Sequence, residues 1–100
     1  MMIKSYPLVL IFDQSIEYVD SAKSLQDSLF YLSEKQLKTA IYINEDAEIY
    51  DLDGNPQNAP SFPYLTTLVQ QRLVSEGQCC TAKIQITQLG QLFSLLEEFN

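Results

Sequence analysis

The chain has 100 residues, 46% of them hydrophobic and 19% charged, a size and composition suited to one folded domain over residues 1–100 that buries about 65% of its unfolded surface. Its formal charge of -7, from 13 acids against six lysines and arginines, argues against nucleic acid and anionic membranes, because phosphate binding requires cations that displace counterions. There is no histidine, which excludes Ser-His-Asp and Cys-His nucleophile systems and zinc sites built on imidazole.

No stretch approaches the ~18 consecutive apolar residues of a membrane-spanning helix. The start, Met1 to Pro7, lacks the apolar run and small residues of a secretory signal. A cytoplasmic location is the expectation.

Pro7 to Phe12 reads Pro-Leu-Val-Leu-Ile-Phe, a continuous apolar run expected of a central strand. Asp13-Gln14-Ser15 supplies a turn, and Ile16 to Asp20 resumes with strand-forming residues, so a hairpin is predicted. Asp20 or Ser21 then caps a helix with Leu25, Leu29 and Leu32 on one face. The polar stretch Ser33 to Gln36 leads out of it.

Lys38 to Ile43 has the β-branched and aromatic content of a strand. Asn44-Glu45-Asp46 makes a tight turn and Ala47 to Leu52 returns antiparallel. Asp53-Gly54 is a turn dipeptide, since glycine tolerates positive φ. Asn55 to Pro60, with two prolines, cannot join a central sheet and reads as an ordered surface loop.

Ser61 caps the next helix, with Pro63 tolerated in its first turn. Leu65, Leu68, Val69 and Leu73 form its apolar stripe, Thr66, Thr67, Gln70 and Gln71 face water, and Gly77 supplies a left-handed C-terminal cap. Cys79 to Ile86 alternates in the manner of a strand with one wet face. Thr87 is expected to cap a last helix carrying Leu89, Leu92, Phe93 and Leu96. The expected fold class is α+β, a five-stranded, largely antiparallel sheet with three helices on one face, in the order ββαββαβα.

Few features carry chemistry. On a strand, Cys79 and Cys80 point to opposite faces, so neither thiol assists the other. Cys80 reads as a small core hydrophobe, and Cys79 is the one candidate reactive thiol, with Lys83 its only nearby cation in sequence. Glu45, Asp46, Glu48, Asp51 and Asp53 are the densest charge cluster, and within it Asp51-Leu52-Asp53-Gly54-Asn55 superficially resembles a calcium loop, but departs from the EF-hand pattern in its later ligands. No metal and no cofactor is expected. Of the six tyrosines, Tyr42 and Tyr50 are the candidate interaction surface, either as partner anchors or as a cross-strand pair within the hairpin.

The most distinctive run is Glu76-Gly77-Gln78-Cys79-Cys80-Thr81-Ala82-Lys83-Ile84. In size, acidity and layout the chain resembles the small bacterial domains of unknown function. That likeness implies a bacterial cytoplasmic origin and carries no activity with it. The residues point to a non-catalytic interaction or regulatory domain with a protein partner or a homodimer, binding neither nucleic acid nor membrane. The alternative is a thiol-dependent enzyme or small-ligand-binding protein that uses Cys79.

Overall fold

The computed structural model describes residues 6–77 and 84–98. Leu8–Phe12 (β1) and Ser15–Val19 (β2) form the expected hairpin, paired from Leu8↔Val19 to Phe12↔Ser15 around the two-residue turn Asp13-Gln14. Ile41–Asn44 (β3) lies antiparallel on the other side of β1, and Ile49–Asp51 (β4) pairs with β3. The sheet is therefore antiparallel throughout, in the order β2-β1-β3-β4. β1 lies inside it, and all but one of its five side chains are buried. That is what its unbroken apolar run requires.

Four helices accompany these strands: Ala22–Phe30 (α1), Glu34–Thr39 (α2), Phe62–Ser75 (α3) and Gly90–Glu98 (α4). The order among the described residues is ββααββαα, with four strands and four helices. The expectation of five strands and three helices is corrected at two points.

The first is the segment after α1. Ser33 to Gln36 opens a second helix rather than leading out of the first. Ser33 Oγ accepts from the Gln36 N–H at 3.2 Å while Gln36 Oε1 accepts from the Ser33 N–H at 2.9 Å. This reciprocal pair satisfies two otherwise orphaned donors and holds a helix of only six residues. Lys38 and Thr39, read as the start of a strand, lie in α2, and β3 begins at Ile41.

The second is the proposed fifth strand. Cys79 to Lys83 lie outside the described residues, and Ile84, Gln85 and Ile86 are not in a strand. Side chains of α3 hold this segment instead. Thr66 Oγ1 accepts from the Ile86 N–H at 2.9 Å, and Gln70 Nε2 donates to the Ile84 carbonyl at 3.1 Å. Both residues had been expected to face water. Backbone groups that a ladder would have paired are met by a helix's polar side.

The helices also occupy both faces of the sheet, not one. Cross-strand neighbours point the same way, so Val9, Ile11, Ile16, Ile43 and Ile49 share a face. On it lie Leu65, Leu68, Val69 and Leu73 of α3 with Leu92 and Leu96 of α4. The opposite face carries Leu8, Leu10 and Val19, covered by Leu25 and Leu29 of α1. Continuous burial of β1 on alternate sides demanded both layers. Each large side chain buried this way contributes roughly 1.5–3 kcal/mol.

The helix ends follow local chemistry. Ser21 Oγ accepts from the Ser24 N–H at 3.2 Å, so Ser21 rather than Asp20 is the cap of α1. Ser61 caps α3 through the Tyr64 N–H. Gly77 takes φ +84° and returns its N–H to the Val74 carbonyl, as a left-handed terminus requires. Thr87 does not cap α4 by accepting a backbone donor. Gln91 Oε1 folds back to accept from the N–H groups of Thr87 and Gln88 and from the Thr87 hydroxyl, and the helix starts at Gly90.

Candidate interaction surface

The β3–β4 hairpin is built around one buried amide. Asn44 is 9% exposed, and its Oδ1 accepts from the N–H groups of Asp46 and Glu48 at 3.0 and 2.9 Å while its Nδ2 donates to Glu48 Oε1 at 3.1 Å. The main chain closes the turn beside it, with Ala47 at φ +62°. A left-handed third residue is what a three-residue hairpin loop calls for.

On the other side of β4, Asp51 organises the return. Its Oδ1 accepts from the Asp53 and Asn55 N–H groups, and its Oδ2 from Asn55 Nδ2 and Gln57 Nε2, at 2.9–3.3 Å. The Asn55 backbone N–H is the main reason its carboxyl lies below the usual range; partial burial opposes that shift, and further donors add to it. With both oxygens so engaged, this carboxylate serves the loop rather than a cation. Asn55 to Gln57 is thereby laid along the free edge of β4, bridging Tyr50 to Pro56. Among the described residues, no three acids or cysteines gather as a metal site.

This scaffold sets Tyr42 on β3 directly opposite Tyr50 on β4. Their rings lie 5.8 Å apart and tilted by 36°. Tyr42 also pairs with Leu10 on β1, so both rings stand on the α1 side of the sheet. On this side α1 packs over β2, and Tyr42 packs with Tyr6, Phe12 and Leu52 against the Leu8, Leu10 and Val19 cluster. Tyr42 and Tyr50 remain half-exposed. Burial is the main reason the Tyr42 phenol lies above its ordinary range, whereas at Tyr50 the adjacent Glu48 carboxylate is the main cause. The Tyr50 hydroxyl donates to Glu48 Oε2 at 3.3 Å.

A second aromatic pair was not singled out by sequence. Phe30 ends α1 and Tyr31 is its C-cap, and they are 81% and 83% exposed, with rings 5.3 Å apart and edge-on. The available signal was helical phase. Phe30 falls beside, not within, the Leu25–Leu29 stripe, so a large aromatic was being placed towards solvent. On the far side of the sheet, exposure at Phe62 and Tyr64 is about half as great. There a 480 Å³ groove runs between the start of α3 and residues 85–87.

Charge is unevenly placed as well. Glu45, Asp46, Glu48, Asp51 and Asp53 crowd the hairpin, and no lysine or arginine occurs between Lys38 and Arg72. The ion pairs found among the described residues belong to Arg72, with Glu17 and Glu76. From Ser21 to Ala40, by contrast, Lys23, Lys35 and Lys38 outnumber Asp27 and Glu34. Cys79, the candidate thiol, lies outside the described residues, and among the described residues no helix is long and apolar enough to cross a membrane.

The architecture is that of an α+β protein whose antiparallel sheet carries helices on both faces. The chain belongs to the DUF4144 family, described as a protein structure with unknown function, whose pattern it matches over residues 6–96. No curated protein and no solved structure matches it.

Proposed function

We propose that this chain is a single non-catalytic interaction domain of the cytoplasm, binding a protein partner through the α1 side of its sheet. The observation that carries the reading is aromatic exposure: Phe30 and Tyr31 are each more than four-fifths exposed, on the same side as the half-exposed Tyr42–Tyr50 pair. Large exposed aromatics cost solubility without aiding the fold, and tyrosine anchors contacts at low entropic cost. The absent histidine and the acidic balance support a partner that is neither a substrate for imidazole chemistry nor a nucleic acid.

The test is affinity capture from the native cell, using the wild-type chain and a Phe30→Ser/Tyr31→Ser/Tyr42→Ser variant as parallel baits. The variant must first melt within about 3 °C of the wild type for Phe30 and Tyr31 changed alone, as surface substitutions do. A protein retained by the wild type and lost by the variant supports the reading. Equal retention by both, or no specific retention of any chain including a second copy, refutes it.

A further inference from the structure

We propose that Asp53-Gly54 is a covalent modification site at which the chain isomerises to isoaspartate, and that the bonds converging on Asp51 set its rate. The inference is independent of the α1 side.

The chemistry needs only water. The Gly54 nitrogen attacks Asp53 Cγ and a C–N bond forms; the Cγ–OH bond breaks, and that hydroxyl leaves with the amide proton as water. The product is a five-membered cyclic imide. A second water then adds at the Asp53 main-chain carbonyl and breaks its bond to nitrogen. The chain now runs through Cβ and Cγ, and the former main-chain carbonyl has become a free carboxylate. Glycine favours the closure because it brings no β-carbon to crowd the attacking nitrogen.

The structure places this reaction at one bond. Of the three glycines, only Gly54 follows an aspartate or asparagine. Asp53 and Gly54 are both exposed, and the Asp53 carboxylate has no hydrogen-bond partner among the described residues. Gly54 stands at φ +89° with open space where a β-carbon would lie, so nothing blocks the ring as it closes.

Asp51 opposes it. The attacking Gly54 N–H donates to the Asp51 carbonyl at 3.1 Å. Asp51 Oδ1 accepts from the N–H groups on either side, those of Asp53 and Asn55, at 3.0 and 2.9 Å. The nitrogen is therefore released only when the loop opens. Those side-chain bonds are exposed, and opening them is a local event that leaves the core intact.

The same turn lays Asn55 to Gln57 along β4. The Asp51 N–H donates to the Asn55 carbonyl and the Gln57 N–H to the Ile49 carbonyl, both at 2.9 Å. Isomerisation adds a backbone carbon between Asp53 and Gly54, which lengthens the turn and draws these two bonds out of register. The modified chain thus loses the cover over its β4 edge, and an uncovered edge is a template for pairing with another chain.

Ageing the full chain at neutral pH tests the proposal, with isoaspartate counted by enzymatic methylation of the new carboxylate and located by fragment mass spectrometry. The wild type should accumulate it at residue 53. Asp51→Ala should do so about tenfold faster, because hydrogen bonds to a charged acceptor no longer hold the loop shut. Asp53→Glu, which cannot close a five-membered ring, should show none there. Wild type held in urea supplies the rate with every bond released, so the comparison survives an Asp51→Ala chain that fails to fold. In the isomerised chain, amide hydrogen exchange should quicken at Asp51 and Gln57 and stay unchanged at Leu10. Isoaspartate that forms in urea but never in the native chain overturns the site. Equal rates in the native chain and in urea overturn the control by Asp51, and unchanged exchange at Asp51 and Gln57 overturns the uncovering of β4.

Discussion

Replacing Asn44 by alanine isolates the group on which the interaction hairpin depends. The side chain accepts from two backbone N–H groups at 3.0 and 2.9 Å and donates to a carboxylate at 3.1 Å. At about 1 kcal/mol for each neutral bond and somewhat more for the charged one, the gross loss is roughly 3 kcal/mol. Asp46 and Glu48 are exposed, so water recovers part of it, and the expected net loss is about 2 kcal/mol. In a domain of this size that lowers Tm by roughly 10 °C. Urea denaturation followed by far-UV circular dichroism measures it. Asn44→Asp keeps both acceptors but sets a carboxylate against Glu48, so at neutral pH it should also destabilise, with recovery below about pH 4, where carboxylates protonate. An Asn44→Ala chain within about 0.5 kcal/mol of wild type would refute the reasoning, because it would mean that the buried amide does not organise the turn.

Four further outcomes follow from particular groups. Ala47 sits at φ +62°, where a β-carbon costs about 1–2 kcal/mol; glycine returns some of that as unfolded-chain entropy, so Ala47→Gly should stabilise by roughly 0.5 kcal/mol in the same urea assay. Leu65 is fully buried between α3 and the sheet, and Leu65→Ala should cost about 3 kcal/mol. The Asp51 carboxyl is lowered in the folded state, chiefly by the Asn55 N–H. Its contribution is therefore present above its unfolded pKa, about 3.9, and lost as pH falls through the folded value; Asp51→Asn should flatten the stability–pH curve in that acid range. Tyr18, Tyr42 and Tyr50 are raised, so their contributions hold below pH 10 and fade above it, which a 295 nm titration alongside thermal melts would detect.

Much of the molecule was legible wherever a local rule stood alone. The β1 run, the β3–β4 hairpin, the α3 stripe and the Gly77 terminus each follow from periodicity, turn chemistry or backbone freedom. The errors arose where two rules competed. Ser33 to Gln36 is polar enough for a loop, but its spacing also makes a capping box, and the box prevailed. Ile84 to Ile86 ends an alternating run, but Thr66 and Gln70 meet its backbone first. Whether helices lie on one face or two is a tertiary choice, and only the unbroken burial of β1 hinted at it. For the candidate surface, the Tyr42–Tyr50 pairing was visible in the alternation of two strands. The exposure of Phe30 was signalled only by its phase beside the Leu25–Leu29 stripe, and that of Tyr31 not at all, because it depends on where α1 stops.

That contact falls on the α1 side of the sheet is tested most directly by following backbone amide NMR signals as a partner captured by the wild-type chain is titrated in. Shifts that move together along the titration are expected at Phe30, Tyr31, Tyr42 and Tyr50. Shifts confined to Phe62, Tyr64 and Val74 on the opposite side, or a spectrum unchanged by that partner, would contradict it.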